Sequence, residues 1–231
     1  MPERSFTRAD LEALRQFDTP TICNGLELLV PARRGVGFTV EPLVAADRNL
    51  PPIVGLARTG LLRARAPARG PVPPREEWYD YVAATDLPTV AVLQDIDDKP
   101  GFGAFWGEVQ TTVHFALGVV GCVTNGSFRD VSVLAPGFQV LGGRVAPSHA
   151  YVHIAQSGCE VDVFGMVVAH DDVVHADHHG AVVIPAEAVR QLPAAIDLVA
   201  RREKVILDAA RAIGCTGASI REARRRAAEI R

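Results

Sequence analysis

The segment Trp106–Asp130 reads WGEVQTTVHFALGVVGCVTNGSFRD, with a helical pattern, a strand-like run and a turn pair in succession. Val109, Val113, Ala116 and Leu117 recur at helical spacing and Gly118 follows as a stop. The pattern predicts an amphipathic helix over Glu108–Leu117 that packs through those four residues. Val119–Thr124 is short and β-branched, which suits a strand, and Asn125-Gly126 turns the chain. Ser127-Phe128-Arg129-Asp130 should then project from a strand's carboxyl end. One helix-to-strand unit returns the chain, so Glu108 at the helix amino end and the Arg129-Asp130 pair come to one sheet edge. Ligands in open α/β sheets gather at that edge.

Outward from this segment the fold class follows. Leu87–Leu93 (LPTVAVL) is an apolar, β-branched run suited to a strand buried on both faces, which implies a parallel or mixed central sheet. Ile53–Leu62 reads as an earlier strand, and Arg63–Glu77, rich in Arg, Ala and Pro, as an exposed loop. Near the start, Leu11, Leu14 and Phe17 form one stripe of a helix over Thr7–Phe17, capped by Thr7 with Asp10. After a turn at Asp18-Thr19-Pro20, a second short helix is expected over Thr21–Leu29, with Gly25 its weak point. Downstream, short strands are expected at Gln139–Leu141, Arg144–Pro147, Met166–Val168, Val173–Ala176 and Ala181–Ile184. Helices follow over Ala186–Gly214 and Ser219–Arg231. No internal repeat of fixed period is present. The reading is one α/β domain over 1–231, with a core at about 19–208 and a C-terminal helical extension at about 209–231.

At 231 residues and 48% hydrophobic side chains, the chain can bury a substantial core. A net charge of -3 gives no global attraction to nucleic acid or anionic lipid, which favours a small-molecule or protein partner. The start Met1-Pro2-Glu3-Arg4-Ser5 is polar with no apolar region after it, and no stretch approaches the roughly 18 apolar residues of a membrane span. A cytoplasmic protein is expected. Cys23, Cys122, Cys159 and Cys215 lie far apart without a Cys-x-x-Cys pair, and are expected to be reduced, buried thiols.

Glu108, Arg129 and Asp130 would place two carboxylates and a guanidinium together. Few carboxylates with room for water suit Mg²⁺ or Mn²⁺, and the free amides near Val109, Gln110 and Thr111 can receive a substrate carboxylate. The same residues also have an ordinary structural reading, since Glu favours a helix start and an Arg-Asp pair is common on surfaces.

Trp106-Gly107-Glu108, then twenty residues, then Arg129-Asp130, with Gly118, Gly121 and Asn125-Gly126 between, resembles the signature of the RraA-like and 4-hydroxy-4-methyl-2-oxoglutarate aldolase family. Val54-Gly55-Leu56-Ala57-Arg58-Thr59 and Gly180–Pro185 (GAVVIP) resemble two of its strands. The resemblance spans roughly Thr19–Asp208 and implies an αββα sandwich of the swivelling-domain type, assembled as a homotrimer or a hexamer with sites between subunits. It implies a metal-dependent lyase, a class II pyruvate aldolase that cleaves a 4-hydroxy-2-oxo acid, with oxaloacetate decarboxylation as a side activity. By that likeness Asp130 is the ligand of Mg²⁺ or Mn²⁺ and Arg129 faces the pyruvyl group. Glu108 holds water beside the metal or relays a proton, and Glu203 reaches a neighbouring subunit's site, as Glu27 would in a lesser way. Departures occur at Cys23-Asn24-Gly25, at Arg63–Tyr81, which is longer than the common pattern, and at His170-Asp171-Asp172.

The family likeness also implies an alternative, a non-catalytic regulator that binds an RNase or a helicase. Separately, His170, His175, His178 and His179, with Asp171, Asp172 and Asp177, offer ligands for zinc, although solvated turn histidines account for the same run. Arg221, Arg224, Arg225, Arg226 and Arg231 suggest RNA, but Glu222 and Glu229 dilute the charge and no aromatics accompany it, so a solvated helix face is expected. No Gly-x-Ser-x-Gly elbow is present for a serine hydrolase, and Cys122 lacks a nucleophile signature.

Overall fold

Val90 and Val92 pack to one side of their strand and Ala91 and Leu93 to the other, and all four are fully buried. A strand buried on both faces needs a layer above and a layer below, and the rest of the chain supplies them. The computed structural model describes residues 5–231, and the polar start at 1–4 lies outside them. Its helices are α1 (Arg8–Leu14), α2 (Thr19–Leu29), α3 (Arg75–Ala83), α4 (Glu108–Ala116), α5 (Leu192–Arg211) and α6 (Gly217–Glu229). Its strands are β1 (Val44–Ala45), β2 (Ile53–Arg63), β3 (Thr89–Asp95), β4 (Ala104–Trp106), β5 (Val119–Thr124), β6 (Ser127–Phe128) and β7 (Gln139–Gly142). They continue with β8 (Arg144–Val145), β9 (His153–Ser157), β10 (Val161–Val163), β11 (Met166–Val168), β12 (Val173–Asp177) and β13 (Gly180–Ile184).

The main sheet runs β1-β7-β5-β3-β2-β12-β13. β2, β3, β5 and β7 are mutually parallel, and β1, β12 and β13 are antiparallel additions. The long β2 shares its second edge between β12, along Ile53–Leu56, and β9, along Gly60–Arg63. The sheet curls into a half-barrel. Ile53, Val90, Val92, Val123, Leu141 and Val174 line its inside, where the hairpin β10–β11 adds Val161, Val163 and Met166. On the outside, α1, α2 and α5 cover one part through Leu14, Ile22, Leu26, Leu192 and Ile196, and α3 and the α4 region cover the other through Trp78, Val82, Trp106 and Phe128. This is the mixed α/β architecture with terminal helices that the resemblance implied.

Local boundaries follow backbone chemistry. The Thr7–Asp10 capping box forms as expected, but α1 ends at Leu14. α2 starts at Thr19, before the expected Thr21, because the Asp18 carboxylate accepts from the Thr21 amide and Pro20 is well suited to a first turn, where its missing N–H costs nothing. A Cβ at Gly25 would stand 2.8 Å from Leu192 and 2.9 Å from Ile196, so this interior glycine brings α5 close. α5 begins at Leu192, not Ala186, with Pro193 in its first turn. α6 begins at Gly217, not Ser219, under a Thr216 cap. The expected loop Arg63–Glu77 is cut short at both ends, by β2 and by α3, whose Trp78 and Val82 are buried. The His178-His179 pair does turn the β12–β13 hairpin. Cys122 is buried as expected, whereas Cys215 is exposed, on the linker between α5 and α6. Among the described residues, no helix is long and apolar enough to cross a membrane.

Candidate active site

The backbone of Glu108 meets the Arg129-Asp130 pair, though not at the end of a main-sheet strand. β4, β6 and β8 form a separate three-stranded sheet, and within it Trp106 lies beside Phe128. The Arg129 amide donates to the Trp106 carbonyl at 2.9 Å. The next residues on both strands are therefore juxtaposed. The Glu108 amide donates to Asp130 Oδ2 at 3.3 Å, and Arg129 Nε lies 3.4 Å from the same oxygen. A Cβ at Gly107 would stand 2.5 Å from that oxygen and 3.2 Å from Arg129 Cγ, so the bare glycine makes room for the carboxylate. Asp130 itself has φ +57°, in the left-handed region that Asp tolerates better than most side chains.

α4 departs from its expected orientation. The four apolar residues at helical spacing are not its inner face: Val109 is 67% exposed, and the buried residues are Gln110, Thr111 and His114. His114 and Thr111 inside are both hydrogen-bonded. His114 Nδ1–H donates to the Gln110 carbonyl at 2.7 Å and Nε2 accepts from Trp78 Nε1 at 2.7 Å, while Trp106 and Phe105 pack edge-on against the ring. Burial pushes the His114 imidazole down to about 4, which keeps it neutral. The Thr111 hydroxyl donates to the Gly107 carbonyl and accepts from the Ala135 amide. Thr111 is thereby withdrawn from the substrate-facing set, because its amide also donates to Gly107 at 2.9 Å. The amides of Val109 and Gln110 have no partner among the described residues and remain at the helix start.

A cavity of about 610 Å³ opens on this corner, lined by Gly107, Val109, Gln110, Arg129 and Asp130. Four further polar residues line it that the sequence did not single out: Arg75 of α3, His149 and Tyr151 of the loop before β9, and His153 of β9. No motif marks them, since they come from the longer 63–81 segment and from a loop whose Ala150 has φ +46°.

Other expected residues lie elsewhere. Glu203 is exposed on α5, which packs on α2 and α6, away from the elements that line the cavity. Glu27 pairs with Arg34 at 3.1 Å. In the histidine run, His175 is buried between the Thr19 hydroxyl and the Phe17 carbonyl, at 3.1 and 3.0 Å. His170 Nδ1 meets the Tyr81 hydroxyl at 2.8 Å. Ligand atoms of Asp177, His178 and His179 lie within 4.8 Å of one another, but Asp177 already accepts from the amides of Thr19 and His179. Burial opposes ionisation of Asp177, and those amide donors outweigh it and hold the carboxyl below the usual range.

The donor set at the cavity fits a hard divalent cation. Asp130 offers its carboxylate to the cavity and is about one-third exposed, and the cleared space at Gly107 leaves room for water or substrate oxygens; Glu108 meets Asp130 through its backbone amide, and its side chain is exposed beside the cavity.

A family model described as RraA-like: Aldolase/RraA matches residues 19–183. The chain belongs to the RraA-like family. Among solved structures, an uncharacterized protein from Pseudomonas syringae pv. tomato is similar with a TM-score of 0.71 at 19% identity, covering 96% of this chain and 95% of that one. Streptomyces coelicolor RraAS2, described as an unusual member of the RNase ES inhibitor RraA protein family, is similar with a TM-score of 0.64 at 21% identity, covering 85% and 93%. The RNA-processing inhibitor RraA from Thermus thermophilis is similar with a TM-score of 0.51 at 17% identity, covering 69% and 90%. These likenesses establish the RraA-like fold. No curated protein sequence matches the chain.

Proposed function

We propose that this RraA-like chain is a divalent-metal-dependent carbon–carbon lyase that cleaves a 4-hydroxy-2-oxo acid to pyruvate and a carbonyl product. The observation that carries the reading is the convergence of Asp130, Arg129 and the open amides of α4 on one cavity. Asp130 is the residue that would hold Mg²⁺ or Mn²⁺, with Glu108 beside it. Bound there, the cation would draw charge from the 2-oxo oxygen as the enolate forms.

The chain's own groups do the rest. The Val109 and Gln110 amides receive the substrate carboxylate at the positive end of α4. Arg129 lies where negative charge develops. Glu108 takes the proton of the C4 hydroxyl, directly or through water. The C4 oxygen then becomes a carbonyl, the C3–C4 pair passes into the enolate, and a returned proton at C3 completes pyruvate. Oxaloacetate would lose carbon dioxide through the same enolate. Val109, Val131 and Tyr151 are exposed apolar or aromatic groups on or beside the cavity wall, which supports a homotrimer or hexamer that brings a neighbouring copy, with its Glu203, over the site.

The test follows pyruvate from a panel of 4-hydroxy-2-oxo acids and oxaloacetate, with and without chelator. Wild type should release pyruvate only with metal. Asp130→Ala should abolish release and stay folded, and Arg129→Lys should be poor because a point charge cannot replace the planar fork. An active Asp130→Ala would remove this carboxylate from the mechanism. The second reading is a non-catalytic regulator of an RNase or helicase, and the descriptions of two similar structures, an RNase ES inhibitor family member and an RNA-processing inhibitor, support its RNase form. Capture of such a partner by a protein without lyase activity would favour it.

A further inference from the structure

We propose that the β12–β13 turn is a transition-metal site, in which Asp177, His178 and His179 together hold a divalent ion of the zinc, nickel and copper class. The site is independent of the lyase reading because it stands at another edge of the molecule. Ala176, beside the turn, pairs with Ile53, the first residue of β2, whereas His153 of the cavity wall pairs with Arg63, its last. At about 3.3 Å per residue β2 is roughly 30 Å long, and the two sites share no residue.

The turn gathers three donors in a row. Asp177 is in register with Gly180, so His178 and His179 alone form the connection. One ligand atom from each of Asp177, His178 and His179 lies within 4.8 Å of the other two. His179 Nδ1 and Asp177 Oδ1 are 3.1 Å apart, near the separation of about 3.3 Å that two ligands keep when each stands about 2.0–2.1 Å from a tetrahedral zinc ion. An ion there would replace the proton that joins this pair, and the imidazole would carry its proton on Nε2 instead. His178 stacks on His179 with ring centroids 4.0 Å apart, an arrangement that two imidazolium ions would oppose and that keeps a second neutral ring beside the first.

The carboxylate is held as a metal ligand needs to be. Asp177 is 2% exposed, and its Oδ2 accepts from the Thr19 amide at 2.9 Å while its Oδ1 accepts from the His179 amide at 2.8 Å. Those amides orient both oxygens and leave Oδ1 a lone pair for the ion. On the other side of the hairpin the Ala181 amide donates to the Thr39 hydroxyl at 3.1 Å, so the base of the turn is fixed as well. Two imidazoles and one carboxylate suit zinc, nickel or copper, whereas Mg²⁺ keeps to oxygen. Cys23, one turn along α2 from Thr19, stays outside the set: burial, with the charges of Glu27 and Asp177, pushes its thiol up to about 11 and keeps it protonated.

Equilibrium dialysis against zinc in excess Mg²⁺ tests the site on wild type, Asp130→Ala, His178→Ala and His179→Ala. Wild type and Asp130→Ala should each hold one zinc per chain with a micromolar dissociation constant, and each histidine variant should bind at least about tenfold more weakly. Zinc should also raise the urea midpoint of wild type and leave that of His178→Ala in place, while the metal-free midpoints agree because both rings lie outside the hydrophobic core. Failure of wild type to bind zinc in the micromolar range overturns the proposal. So does zinc binding that survives both histidine substitutions, or that disappears in Asp130→Ala, since either result puts the ion elsewhere.

Discussion

Helices α2 and α4 are built to opposite plans. α2 buries Ile22 and Leu26, and Gly25 lets α5 close over it, so its hydrophobic spacing names its inner face. α4 buries Gln110, Thr111 and His114 and turns Val109 and Phe115 outward. The first helix serves only the core. The second carries the candidate site at its amino end, and its interior is held by hydrogen bonds of His114 and Thr111 instead of an oily face free to slide.

The largest test of this contrast is acidity. Because burial holds His114 at about 4 against an ordinary 6.5, the unfolded chain binds a proton between those values that the folded chain lacks. Stability is therefore fully present above pH 6.5 and falls as the pH drops toward 4, by on the order of 3 kcal/mol. His175, also pushed down by its burial, adds in the same direction. Urea midpoints from pH 7 to 4.5 should show the decline, and His114→Gln should flatten it; equal slopes would place the titration elsewhere. Next in size, Gly107→Ala should lower pyruvate release about 100-fold through the displaced Asp130 carboxylate, with little change in the urea midpoint. Gly25→Ala should do the reverse, costing about 1–3 kcal/mol by crowding Leu192 and Ile196 while release continues. Were both glycines to act on stability alone, the distinction between the helices would fail. The smallest effect belongs to Thr111→Val, about 1–2 kcal/mol, because the Ala135 amide loses its acceptor.

Much of the fold was legible because its strands carry their own signals. β3 is apolar on both faces, β12 and β13 flank a turn at His178-His179, and the Gly118 stop lies where α4 ends. β9 and β10 gave no such signal: β9 is an edge strand that buries only Ile154, and β10 has only three residues. At the site, the Glu108 and Arg129-Asp130 juxtaposition could be read from one helix-to-strand return, but its agent, the β4–β6 pairing, was too short to leave a periodic trace. Arg75, His149 and His153 escaped for a different reason. Arg75 is distant in sequence from the two histidines and lines the same cavity with α3 bonded to α4 through Trp78 and His114, a contact between two residue types that no local pattern pairs.

The left-handed backbone at Asp130 limits what can replace it. Most side chains are penalised in that conformation, and besides glycine only asparagine shares aspartate's tolerance of it at nearly the same size. A drift from Asp to Asn would keep the loop and discard the anion. One step in the genetic code would thus remove the carboxylate on which the proposed metal site depends and leave the architecture in place.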